Sequence, residues 1–172
     1  DDLVYAMKDG LQCNIALFSM DENNKRIIEH CKNGGYAAVF ENGYITIMKG
    51  TWKIRVVKVT EVPVTYGGKA THNIMNCLPA VLSTYFWRNI SIEDIKLSLQ
   101  TFVPSPAQTP GRLNMFQFKQ FKFLVDFAHN PAGLELLCDF IGKMDGEPKV
   151  GIISGTGDRR DDDIKELGRI SG

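Results

Sequence analysis

Three short stretches carry side chains whose type and spacing suit chemistry, and a fourth places a cation at a turn. In Thr71-His72-Asn73-Ile74-Met75-Asn76, a helical register sets His72 and Asn76 four apart and Asn73 and Asn76 three apart, on one side. Asparagine offers a donor and an acceptor together, which suits an adenine edge. The same residues also suit a polar helix start that serves only its own amides.

In Val125-Asp126-Phe127-Ala128-His129-Asn130-Pro131, polar residues follow an apolar strand and lead into a helix. Open α/β sheets bind ligands at such carboxyl ends. Asp126 suits ribose hydroxyls, and His129 and Asn130 suit phosphate or substrate. The alternative is a turn in which Asp126 or Asn130 caps the helix. The third stretch is Gly155-Thr156-Gly157-Asp158-Arg159-Arg160 followed by Asp161, Asp162 and Asp163. Its glycines permit close approach and its arginines suit a carboxylate or phosphate. A lone GxG is weak evidence for nucleotide binding, and the charges also suit a solvated helix start. Arg112, beside Gly111, is the fourth feature: it is either a cation at a hinge or a surface arginine.

The elements that must position these groups are readable from pattern. Strands are predicted over 13–18, 36–40, 44–48 and 54–59, with the Asn42-Gly43 pair as a hairpin turn. Helices are predicted over 2–9, 23–32, from a Thr71 cap to 87 through Pro79, and from a Ser91 cap onward. Residues 104–111 hold three prolines and a glycine and read as a linker. Beyond it, strands over 115–118 and 121–127, a helix from Pro131 to about residue 143, a strand over 149–154 and a helix from Asp161 are predicted. Strand, helix, strand, helix is the opening of a parallel doubly wound sheet, so the fold class is α/β. Trp52 and Trp87 read as packing residues, and His30 receives no function.

Bulk properties narrow the function classes. Lys plus Arg and Asp plus Glu both number 20, so no basic surplus points to nucleic acid. No apolar run is long enough for a membrane span. The four cysteines lack CxxC spacing, so a reduced cytoplasmic protein without a zinc site is expected. The chain opens on Asp1-Asp2 without methionine and closes in a helical pattern, so a piece of a longer polypeptide is expected.

Taken in order, the stretches resemble the Mur ligase family along essentially the whole chain. Asp1-Asp2 looks like the end of that family's N-x-D-D stretch. His72-Asn73…Asn76 looks like its H-N-x-x-N helix, and Pro110-Gly111-Arg112 like the junction to its C-terminal domain. Asp126 looks like its ribose-binding aspartate. The strings 105–112, 126–133 and 155–161 are similar to the branch that joins arginine to the β-carboxylate of aspartate in a poly-aspartate chain.

The resemblance implies residues 1–104 as the end of a central ATPase domain and 112–172 as the first βαβα part of a Rossmann-like C-terminal domain. It implies ATP and Mg²⁺, with His72, Asn73, Asn76, Arg112 and Asp126 on the nucleotide and His129, Asn130, Asp158 and Arg159 near the reacting groups. ATP would convert a carboxylate to an acyl phosphate, which an amine attacks. The implied partners are an amino acid and a polypeptide acceptor, with a homo-oligomeric full-length protein. The family's Lys-containing phosphate loop and its metal ligands do not occur in this stretch, so weak or no ATP turnover is expected of the chain alone. Other readings are a ligase for peptidoglycan precursors or folylpolyglutamate, and a non-catalytic binding or assembly module.

Overall fold

The computed structural model describes residues 2–155, 157 and 160–172. A short helix α1 (Asp2–Ala6) precedes strand β1 (Ala16–Ser19), helix α2 (Lys25–Lys32) and strands β2 (Tyr36–Glu41), β3 (Tyr44–Lys49) and β4 (Trp52–Lys58). Helices α3 (Thr71–Tyr85) and α4 (Ile92–Thr101) follow, then strands β5 (Asn114–Gln117) and β6 (Lys122–Val125), and helices α5 (Pro131–Gly142) and α6 (Asp161–Ser171). The molecule is α/β: a four-stranded mixed sheet in the order β1-β2-β3-β4, and a separate two-stranded antiparallel hairpin, β5-β6.

Burial on both faces of the sheet explains its strands. Ala37, Val39 and Met48 meet Ile27 and Cys31 of α2, while Ala38, Ile45 and Ile47 meet the other layer. That layer is α3, whose Ile74, Leu78, Val81 and Leu82 recur at helical spacing and are all buried. Each such side chain contributes about 1.5–3 kcal/mol relative to exposure. A strand covered on both sides reads as a continuous apolar run, as β2 does over residues 36–40. The β2–β3 connection is the predicted Asn-Gly turn, with φ of 49° at Asn42 and 82° at Gly43, the pair of left-handed residues that a two-residue hairpin requires.

Ser91 caps α4, but its capping-box partner is Asp94. Thr71, expected as the cap of α3, is its first helical residue instead; Ala70 precedes it and offers no side-chain acceptor. The helix runs through Pro79 to Tyr85, where Ser83 Oγ donates to the Pro79 carbonyl at 2.9 Å. Trp52 and Trp87, expected to pack, are 45% and 72% exposed. No helix or strand occurs between Phe102 and Leu113.

The largest departure lies near the end of the chain. Residues 149–154 form no strand. A parallel strand needs a laddered neighbour and cover on both faces. Here Val150 and Ile152 are 86% and 96% exposed, and β6 is paired only with β5. The predicted βαβα opening of a parallel sheet is therefore replaced, among the described residues, by an antiparallel hairpin followed by two helices.

A small second core joins the parts. Phe140 of α5 and Leu113 are buried against Ala70, which sits just before α3, with Tyr66, Leu137 and Ile141 around them.

Candidate functional site

The start of α3 forms one wall of a cleft. His72, Asn73 and Asn76 all line a cavity of about 250 Å³. Asn73 is held by its own amide, Nδ2 donating to the Val64 carbonyl at 2.8 Å. Asn76 is exposed, and among the described residues its side chain makes no hydrogen bond. Asn73 and Asn76 also rim a second cavity of about 290 Å³, walled by Val64, Cys77, Ala80, Leu99 and Phe102. An apolar cavity edged by two amides can take a heteroaromatic ring.

His72 lies deeper. Its Nδ1 is buried without a partner, and its ring meets Phe140 edge-on at 6.5 Å. Burial lowers its pKa from the ordinary 6.5, while the Asp126 and Asp139 carboxylates pull it upward. A neutral imidazole with a buried, unpartnered nitrogen is an unsatisfied polar group beside the cleft.

The opposite wall comes from the linker, the end of β6 and the start of α5, through Arg112, Asp126, His129 and Asn130. Asn130 is the N-cap of α5: its Oδ1 accepts from Gly133 N at 2.7 Å, and Pro131 takes the first helical position, where a missing N–H costs nothing. Asp126 does not cap. Its Oδ2 accepts from Leu113 N at 2.8 Å, which ties the end of β6 to the residue before β5. His129 Nδ1 donates to the Phe127 carbonyl at 3.0 Å, which leaves Nε2 for another partner. The Arg112 guanidinium lies 5.2 Å from the centre of the Phe127 ring, an arrangement that holds a cation in place while its N–H groups stay available.

Seven of the residues singled out from sequence thus line one cleft: His72, Asn73, Asn76, Arg112, Asp126, His129 and Asn130. Asp158 and Arg159 lie outside the described residues. Sequence reasoning missed Tyr66, Leu113 and Asn114: Tyr66 donates to the Leu113 carbonyl, and Asn114 accepts from Gly111 N and donates to the Thr109 carbonyl. The only signals were a tyrosine before Gly67-Gly68 and an asparagine close to Arg112 in a turn-rich stretch. Chemically, the cleft offers amides for a base, a carboxylate for hydroxyls and a guanidinium for an anion.

No protein-family model matches the chain. Curated relatives do. Over 171 residues, 99% of this chain, it is 42% identical to cyanophycin synthetase of Trichormus variabilis and covers 19% of that protein. The same coverage holds at 43% identity for the cyanophycin synthetases of Synechocystis sp. and Crocosphaera subtropica. The chain spans about a fifth of the length of the curated relatives it matches, at 19%. Over that fifth, the chain is a homologue of the cyanophycin synthetases.

Proposed function

We propose that the chain is part of an ATP-dependent amide-bond ligase of the Mur type, and that its cleft holds the nucleoside end of ATP. In this reading residues 1–104 end the central ATPase domain, 105–111 form the linker and 112–172 begin the C-terminal domain. The carrying observation is convergence: two amides, a carboxylate and a guanidinium from segments far apart in sequence line one cleft, in a homologue of named synthetases.

The base would enter the apolar slot, with Asn73 and Asn76 at its edge. Asp126 keeps one carboxylate oxygen beyond the one that holds Leu113, and that oxygen would accept from a ribose hydroxyl. Arg112 would face the phosphates, where a planar guanidinium offsets anionic oxygens. Mg²⁺ would supply further charge neutralisation at those oxygens. The ligase activates a carboxylate as an acyl phosphate, and an amine displaces the phosphate to leave an amide. For a cyanophycin synthetase the substrates would be arginine and the aspartate β-carboxylate of a poly-aspartate chain. His129, Asn130, Asp158 and Arg159 are the residues proposed nearest the reacting groups.

Calorimetric titration with Mg·ATP tests the site. Asn76→Ala removes an exposed side chain with no internal bond and should weaken binding without unfolding. Asp126→Asn keeps an acceptor for Leu113 N but turns the other oxygen into a donor. Loss of a hydrogen bond to a charged group should weaken binding about tenfold or more. Unchanged affinity in both variants would remove this cleft from nucleotide binding.

A further inference from the structure

From Gly111 to Leu113 every backbone N–H and carbonyl is bound. Gly111 N donates to Asn114 Oδ1 at 2.7 Å, and the Gly111 carbonyl accepts from Phe127 N at 2.8 Å. Arg112 N donates to the Thr109 carbonyl at 3.1 Å, and its own carbonyl accepts from Asn114 Nδ2 at 3.3 Å. Leu113 N donates to Asp126 Oδ2 at 2.8 Å, and the Leu113 carbonyl accepts from the Tyr66 hydroxyl. Connecting segments usually leave such groups to water.

The held conformation is also strained. Leu113 sits at φ of 47°, in the left-handed region that a bulky side chain avoids, with its side chain 2% exposed. Strain of this kind persists only where surrounding contacts over-determine it, and it gathers at functional sites. Asn114, 4% exposed, spends both ends of its amide on the same segment.

Of these partners, Tyr66 is the one from before the linker. It follows residues 59–65, which come after β4, and lies four residues before Ala70 at the start of α3; its ring is 5.2 Å from that of Phe140. Burial raises the phenol pKa, which keeps it the donor. We propose that Tyr66 is a positioning residue for the nucleotide site: through the Leu113 carbonyl it sets where Arg112 stands relative to Asn73 and Asn76. The inference rests on the nucleotide reading above and deepens it. Tyr66 touches no ligand; it acts through Arg112.

Tyr66→Phe removes only the hydroxyl and leaves the ring on Phe140, so the variant retains its packing. Amide exchange by NMR reads the clamp without nucleotide. The Leu113 amide should exchange about fivefold faster, in line with loss of one hydrogen bond, while the Ile74 amide is unchanged. An unchanged Leu113 rate overturns the proposal.

Titration then separates positioning from damage. Mg·ATP should bind about fivefold more weakly to Tyr66→Phe, while adenosine, which lacks phosphates, binds as before. In an Arg112→Ala background the same change should cost nothing further, because the two act as one unit. Equal losses for ATP and adenosine, or additive losses in the double variant, overturn the positioning role. If the unaltered chain binds neither compound, the nucleotide reading fails on its own, and the exchange rates still decide the clamp.

Discussion

Truncating Phe140 to alanine should release the second part of the chain while sparing the first. Phe140 is fully buried and joins α5 to Tyr66, Ala70 and Leu113. Two polar links across the same seam, Lys69 to Asp145 at 3.6 Å and Thr71 to Asp139 at 3.5 Å, are solvent-facing, and a further one, from the Tyr66 hydroxyl to the Leu113 carbonyl, is a single part-buried hydrogen bond of about 1 kcal/mol. Such contacts contribute about 0–1 kcal/mol each, whereas phenylalanine-to-alanine changes in cores cost about 3–5 kcal/mol. The apolar anchor therefore decides. The lower end applies here, because Leu137, Ile141 and Met144 are only partly buried and can lean into the hole. A loss of about 3 kcal/mol raises the opening equilibrium of α5 roughly a hundredfold. Peptide-level amide exchange in low urea measures this. Peptides from α5 and from β5–β6 should accelerate by that factor, while β2 and β3 peptides keep their protection. Equal acceleration in both would mean that the chain opens as one unit and that Phe140 is no separate anchor. Acceleration of α5 by less than about tenfold would mean that the seam is held by something else.

Two shorter predictions follow from buried ionisable groups. Cys13 and Cys138 are exposed, whereas Cys31 is 1% and Cys77 6% exposed, and burial pushes the Cys77 thiol up to about 11. Alkylation at neutral pH should therefore label Cys13 and Cys138 first and Cys77 only on unfolding; equal rates at Cys13 and Cys77 would refute the buried placement. Glu41 is buried beside Lys53 and Arg55, and the hydrogen bond from Lys53 holds its carboxyl below the ordinary value of 4.5. Its contribution is thus present above that value and lost as pH falls through the lowered one. The urea midpoint should drop on acidification below 4.5, and Glu41→Gln should flatten that drop; an equal drop in the variant removes Glu41 as its source.

Local pattern carried the first part of the fold because its determinants are local. Asn42-Gly43 names its own hairpin, and the apolar spacing of Ile74, Leu78, Val81 and Leu82 names a buried helix face. The strand expected over 149–154 fails for the opposite reason: an apolar run becomes a strand only where a partner receives it, and the run itself does not encode that partner. The site behaves likewise. Asn73, Asn76, Asp126 and His129 are visible as polar residues at element ends. Tyr66 is not, because its hydroxyl matters only through a carbonyl 47 residues away in sequence. Asn130 shows both sides at once, since the residue read as a ligand or a cap is a cap that also lines the cleft.

The main sheet has a kinetic consequence. Its spatial order, β1-β2-β3-β4, is also its order in the chain, so every ladder joins sequence neighbours. Loops between such strands close quickly, and low contact order favours rapid folding. During synthesis each strand could dock on its predecessor as it emerged, with α3 arriving afterwards to seal the finished face. The wall that carries Asn73 and Asn76 would then be assembled before the linker and Arg112 emerged, giving the later segment a finished surface to dock against.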